Sequence, residues 1–289
     1  MTSVDLELLI CSPCGGGFSF EGSCVCGELQ DGFLRCTSCG RQVPVKGGVP
    51  DFVDDRQIRG LEWLMRLIYD NLAVLHDPVV HVVTPLFQSI SEQDGRDRYM
   101  ERLDLADLEA SDCNIARILE IGIGTGGNLP VLARHLPGHL NVELWGLDLS
   151  AGMLALCRQR LVQHPEYRPV RLLLADAHEL PFPDCCFDRV FHTGGIATYR
   201  DPRRGLAEMA RVAKPKTPIV VVDEQLDPTT RHGVFHRLAF RALTFYDRAP
   251  AAPVEHLPDN AAGVLLEQIS NFYYCLTFRM PQGTAPGYS

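Results

Sequence analysis

The chain has 289 residues, which leaves room for one full α/β domain and a small appendage. Hydrophobic residues make up 46% and charged residues 22%, the balance of a core-forming globular protein, and the formal net charge of −9 argues against the basic footprint of a nucleic-acid enzyme. The chain opens with no basic n-region and no apolar run approaches the ~18 residues of a bilayer span, so it reads as soluble and cytoplasmic, with no membrane-spanning segment.

Six of the eleven cysteines fall between Cys11 and Cys39. Without a secretion signal, such a block is better explained by metal than by disulfides. Two C-x-x-C-G knuckles, Cys11–Cys14 and Cys36–Cys39, offer four thiolates to a structural Zn²⁺, each tight turn supplying two ligands. Cys24 and Cys26 lie between the knuckles and stand as spare or alternative ligands. A segment this short buries little core of its own, and metal would supply the missing stability. The stretch from Arg41 to Phe52, with Pro44, Gly47, Gly48 and Pro50, resembles the ending of the small zinc-ribbon proteins that activate methyltransferases. It departs from them at Gln42-Val43, where an aromatic is commoner, and in the two extra cysteines.

Residues 57–110 carry helical periodicity. Leu61, Leu64, Met65, Ile68 and Leu72 share one face, and Arg96 to Leu108 reads as a second amphipathic helix. These helices either pack on the main sheet or form a lid that brings Tyr69, His76, His81 or Phe87 to an acceptor pocket.

Ile115–Ile121 is a β-branched, buried-type strand that runs into Gly122-Ile-Gly124-Thr-Gly126-Gly127 and a helix over Asn128–His135. Such a turn lets the backbone approach a ligand and aims helix N–H groups at it. The glycines also fit a dinucleotide-binding turn, but three features point elsewhere. Glu120 precedes the glycines, where it would repel a pyrophosphate and suit a cationic, amino-bearing ligand. A second strand ends at Asp148, 22 residues after Gly126, where a carboxylate can accept two ribose hydroxyls. A third strand, Val170–Leu174, leads to Asp176-Ala177, placed to meet an adenine amino group.

In order, these motifs resemble those of class I S-adenosylmethionine-dependent methyltransferases. The following stretch resembles the UbiE-like (ubiquinone/menaquinone C-methyltransferase) branch: Leu180-Pro-Phe182, Phe187-Asp188-Arg-Val190, Asp201-Pro202, Leu206, Glu208 and Arg211-Val212-Ala-Lys214-Pro215. The resemblance spans about residues 112–224, with Lys216-Thr217 standing where the family has Gly-Gly. It implies a doubly wound, Rossmann-like α/β fold with a seven-stranded sheet. It also implies that Glu120, Gly122, Gly124 and Gly126 contact the methionine part of S-adenosylmethionine. Asp148 would hold the ribose, Leu149 and Met153 would flank the adenine, and Asp176 and Ala177 would meet its edge. Asp148 as a mere cap of the helix near Ser150, Met153 as plain core and Asp188 as a structural residue are the blander readings.

His192-Thr193-Gly194-Gly195 follows the fourth strand, where ligands sit. His192 is the first candidate for a general base or an acceptor contact, with Tyr199, Glu224, His232 and Tyr246 behind it. This turn replaces the (D/N)-P-P-(Y/F) of amino-group methyltransferases acting on DNA adenine. The expected organisation is a zinc ribbon over 1–54, a helical connector or lid over 55–110 and the methyltransferase domain over 111–289. The expected activity is methylation of a small-molecule acceptor (natural product, quinone or lipid, at O, N or C). An alternative is an rRNA or tRNA base methyltransferase, since rRNA guanine-N1 methyltransferases also place a zinc ribbon before this fold. Their Cys…His ending and Tyr-Val-Asn-Leu stretch are missing here, and the arginine clusters Arg158–Arg171 and Arg200–Arg211 read as solvated helix faces. Nucleic acid is therefore the less favoured partner. A donor-binding scaffold without catalysis and a homodimer are the remaining alternatives.

Overall fold

In the computed structural model, residues 1–78, 87–108, 115–167 and 169–282 are described, with the backbone alone over 75–78. His81 and the side chain of His76 lie outside them. Four antiparallel strands come first: β1 (Phe18–Val25), β2 (Glu28–Cys36), β3 (Gln42–Lys46) and β4 (Val49–Pro50), in sheet order β1-β2-β3-β4. Two helices follow, α1 (Gly60–Pro78) and α2 (Glu92–Glu101). The remainder alternates strand and helix: β5 (Ile115–Ile121), α3 (Leu129–His135), β6 (Asn141–Asp148), α4 (Ala151–Gln163), β7 (Val170–Leu174), β8 (Arg189–Thr193), α5 (Pro202–Val212) and β9 (Ile219–Glu224). Helix α6 (Val234–Leu243) and the strands β10 (Ala262–Gln268) and β11 (Tyr273–Arg279) complete it.

The seven-stranded sheet has the order β10-β11-β9-β8-β5-β6-β7. Strands β5 to β9 pair in parallel, and β11 runs antiparallel to β9 and β10. Chain order reverses between β5 and β8, and in open α/β sheets the crevice beyond such a point takes the ligand. The parallel strands are apolar on both faces because both are covered. Leu119, Ile121, Trp145, Leu173, Val190 and Val221 face one core, with Leu206 and Met209 of α5. Ala116, Ile118, Phe191 and Val220 face the other, with Tyr99 and Met100 of α2 and Val131 and Leu132 of α3.

The N-terminal sheet does not stand apart. Leu9, Leu29, Leu34, Val43, Val45 and Phe52 belong to the same core as Trp145 and Phe182. Backbone bonds stitch the two sheets, Ile10 N–H to Pro181 O (3.0 Å) and Phe52 N–H to Leu174 O (2.8 Å). The second lies beside β7, an edge strand whose free groups would otherwise invite pairing with another chain. Arg171 reaches across to Asp5 at 2.8 Å.

The helix expected over Arg96–Leu108 begins earlier and ends sooner. Ser91 Oγ accepts the Asp94 N–H and starts α2 at Glu92, while Asp104 at φ +47° turns the chain into a short 3₁₀ segment over Leu105–Asp107. Lys216, standing where the resembling family has glycine, sits in a left-handed turn at φ +66°, remote from the sheet's carboxyl edge. Among the described residues, no helix is long and apolar enough to cross a membrane.

Candidate functional site

A cavity of about 600 Å³ opens at the carboxyl ends of β5, β6, β8 and β9. Gly122, Gly124, Asp148, Leu149, Met153, Asp176, Ala177 and His192, eight of the residues singled out in sequence, line it. Glu120 and Gly126 do not. Gly126, at φ +77°, packs on α4, where a Cβ would stand 3.0 Å from Cys157 Sγ.

Glu120 lies behind Asn128. Asn128 Nδ2 donates to Glu120 Oε1 (2.6 Å) and to Thr193 Oγ1 (3.0 Å), and its Oδ1 accepts from Tyr99 Oη (2.5 Å) and from Arg96. Burial pushes the Glu120 carboxyl up to about 8, so it rests protonated at neutral pH, and its Oε2 has no hydrogen-bond partner. Asn128, Tyr99 and Arg96 are functional neighbours that sequence reasoning missed, and only Asn128 lies next to a motif.

The glycine turn is built on β6. Gly122 and Ile123 N–H groups donate to Leu147 O at 2.8 and 3.0 Å. Asp148 then works in both directions: Oδ2 accepts the Gly124 N–H (2.8 Å) and Oδ1 accepts the Ser150 N–H (2.8 Å). The cap of α4 is Ser150, whose Oγ accepts the Met153 N–H, so Asp148 is not that cap. Helix α1 seats on the same end of α4. Asp70 Oδ1 accepts Ser150 Oγ–H (2.6 Å) and the Gly152 N–H (3.1 Å). A Cβ at Gly152 would lie 2.7 Å from the backbone oxygen of Asp70, and backbone cannot swing away. Gly152→Ala is therefore expected to lift α1 and cost about 1–3 kcal/mol in a denaturant titration. An unchanged midpoint would show that α1 is not seated there.

Asp176 lines the cavity with both carboxylate oxygens already engaged. Oδ1 accepts from His178 N and Nδ1 (2.9 and 2.6 Å), and Oδ2 pairs with Arg200, which also holds Glu62 of α1. Burial alone would raise its pKa, but the bonds from His178 and Arg200 outweigh that and hold it at about 2. Ala177, also in the lining, takes no part in this cluster.

His192 is buried in the cavity wall. Its Nδ1 donates to Ile121 O (2.9 Å), which leaves Nε2 as a bare lone pair, and Nε2 has no partner in the structure. Burial lowers its pKa, so the ring is neutral at neutral pH. A Cβ on Gly122 would press on this ring at 3.3 Å. Tyr199 rests against the ring at 5.3 Å between centroids. Glu224, also in the wall, accepts from Tyr246 Oη (2.9 Å), and burial, then the Asp223 charge, raise its pKa well above the usual range. Tyr69 of α1 lines the cavity, whereas Phe87 stacks on Phe272 and His232 bonds to Asp227 O.

At the other end of the molecule, the Sγ atoms of Cys11, Cys14, Cys36 and Cys39 all lie within 4.8 Å of one another. Cys11–Cys39 are 3.7 Å and Cys14–Cys36 3.4 Å apart, close to the ~3.8 Å edge of a tetrahedron with Zn–S bonds of about 2.3 Å. The Cys39 backbone N–H points at Cys36 Sγ and, with that of Ser38, lowers the Cys36 pKa, whereas burial and the neighbouring thiols push Cys11 up to about 12. The hairpin register settles the place of the spare cysteines: Phe18 pairs with Cys36 at the knuckle end, and Cys24 pairs with Leu29 at the far end, beside Cys26. Neither belongs to the cluster.

Comparison with known proteins agrees with this geometry. Residues 119–221 match the family model described as methyltransferase domain. The ubiquinone/menaquinone biosynthesis C-methyltransferase UbiE of Geobacter sulfurreducens is 34% identical over 122 residues, 42% of this chain and 46% of that protein. A phosphatidylethanolamine N-methyltransferase of Cereibacter sphaeroides is 37% identical over 108 residues, 37% and 50% of the two chains. The chain spans about half the length of these curated relatives. Among solved structures, phosphoethanolamine N-methyltransferase 2 of Haemonchus contortus, in complex with S-adenosyl-L-methionine, superposes with a TM-score of 0.56 at 14% identity. That match covers 92% of this chain and 70% of that one, and it speaks for the fold alone. Residues 119–221 thus carry a methyltransferase domain, set in a Rossmann-like seven-stranded sheet.

Proposed function

We propose that the protein transfers a methyl group from S-adenosylmethionine to a small-molecule acceptor, a quinone, lipid or natural product, with a structural Zn²⁺ held by Cys11, Cys14, Cys36 and Cys39. The observation that carries this reading is the cavity, which gathers the glycine turn, Asp148, Ala177 and His192 at the carboxyl edge of a methyltransferase sheet. The site fits the donor: Asp148 has lone pairs left to accept ribose hydroxyls, and Leu149 and Ala177 line the cavity with it. When bound, S-adenosylmethionine supplies a methyl group on a positively charged sulfur.

The chain's own residues would then align the acceptor and manage its proton. Transfer by in-line displacement gains chiefly from orientation. His192 is fixed by Ile121 with Nε2 bare, so it can take a proton from an acceptor hydroxyl or carbon. His192→Ala is expected to slow production of S-adenosylhomocysteine about 10²–10⁴-fold while donor affinity stays within a few-fold. Because burial lowers its pKa, the neutral, base-competent ring persists below the usual 6.5, and turnover is expected to fall only in more acidic solution. Equal rates in wild type and variant across pH would remove His192 from the chemistry.

A small acceptor is also supported by how the arginines are used. Arg171 pairs with Asp5 and Glu143, Arg200 with Glu62 and Asp176, and Arg211 with Glu208 and Asp184. Arg160 and Arg204 donate to backbone oxygens of Gly126 and His178. These five arginines, which could have met phosphates, are bonded within the protein. Methyl-donor turnover against a panel of quinone, phospholipid and RNA acceptors tests the assignment, and transfer to RNA alone would overturn it.

A further inference from the structure

Some exposed arginines have an acidic partner, as Arg35, Arg56 and Arg134 show. Helix α6 and its flanks gather four that do not. Arg231, Arg237, Arg241 and Arg248 are exposed, and among the described residues none of them forms an ion pair. Arg241 makes only a long bond to the backbone oxygen of Arg248. The one acid between them, Asp247, accepts the Ala249 N–H.

Between these cations α6 turns an apolar stripe outward. Val234, Phe235 and Leu238 are 71%, 81% and 61% exposed, and Phe245 just beyond is 60% exposed. The inner side of the helix is anchored, with Phe240 buried against Phe272 (5.1 Å between rings) and His236 edge-on to Phe87. The helix is therefore held firmly with its apolar side towards solvent. Ala242 and Leu243 at its C-terminal end, with Phe245 just beyond, line the cavity.

An exposed apolar stripe bordered by unpaired arginines is the form of a helix that lies in the plane of a lipid interface. We infer that α6 docks this protein on an anionic phospholipid bilayer, with Val234, Phe235 and Leu238 entering the acyl boundary and the arginines meeting headgroup phosphates. A second copy of the chain fits the patch less well, because it would set four arginines against four. Nucleic acid would leave the aliphatic and aromatic side chains without a partner. The net charge of −9 opposes docking elsewhere on the molecule, so the basic helix fixes which face meets the membrane. Docked in this way, the cavity mouth faces the acyl layer. That consequence rests on the proposed function, whereas the docking does not.

Co-sedimentation of the full chain with phosphatidylglycerol vesicles, against pure phosphatidylcholine vesicles, tests the inference. Binding to the anionic vesicles, weakened by salt, is expected. The double variant Phe235→Glu/Leu238→Glu, whose positions do not line the cavity, is expected to bind them about tenfold or more weakly. It should titrate with S-adenosylmethionine as wild type does, which shows that it is folded. Failure of wild type to bind, equal binding by the variant, or equal binding to both lipids would overturn the inference. So would a homodimer, or an RNA complex, that the variant abolishes in the absence of any vesicle binding. Loss of donor binding by the wild-type chain would instead strike the proposed function and leave the vesicle result standing.

Discussion

Asp148→Ala is expected to weaken S-adenosylmethionine binding by about two orders of magnitude or more. The carboxylate accepts the Gly124 and Ser150 N–H groups, so it shapes the turn before any ligand arrives, and it is the proposed acceptor for the ribose hydroxyls. Hydrogen bonds to a charged group contribute about 1.5–3 kcal/mol each, and each 1.4 kcal/mol is a tenfold change in affinity. Losing two such bonds therefore removes at least about a hundredfold. Asp148→Asn keeps one acceptor oxygen and should fall between the two. Calorimetric titration of the three proteins decides the matter, and a variant within threefold of wild type would mean that Asp148 serves only to hold the turn.

Replacing Cys36 by Ser is expected to remove the proposed zinc and destabilise the whole chain, not merely its first fifty residues. The four thiols lie within 4.8 Å of one another, and a small zinc-dependent module is unfolded without its metal. Here Leu9, Leu34, Val43 and Phe52 of the N-terminal segment share a core with Trp145 and Phe182, so its unfolding would strip one face of the seven-stranded sheet. A cost on the order of 5 kcal/mol is a large fraction of ordinary domain stability and corresponds to a melting point lowered by about 10–20 °C. Cys24→Ser and Cys26→Ser, at the far end of the hairpin, should melt with wild type. Well under one zinc per chain in freshly prepared protein, or a Cys36→Ser variant that melts with wild type, would contradict this.

What the sequence shows of the site is what lies close along the chain. Strands β5, β6 and β7 are apolar runs ended by Gly122, Asp148 and Ala175, and motif spacing alone places those ends side by side once the strands are parallel. The interactions that hold the ends in place join distant segments and are not legible in the same way. Asn128 meets Tyr99, 29 residues away, and Glu62 meets Arg200, 138 residues away. Sequence reasoning aims Asp176 at adenine without showing that Arg200, 24 residues away, also pairs with it and ties it to Glu62. The ambiguity at Cys24 and Cys26 has the same origin: only the register of the hairpin shows which cysteines share an end. Helix α6 follows the last motif, and its outward apolar face becomes visible only when Phe240 is seen to be the buried side.

The most direct test of the donor site is calorimetric titration of the full-length chain with S-adenosylmethionine. One site per chain with a dissociation constant in the range of about 1 μM to 1 mM is expected. Absence of binding at millimolar donor, with zinc present and the chain folded, would contradict it.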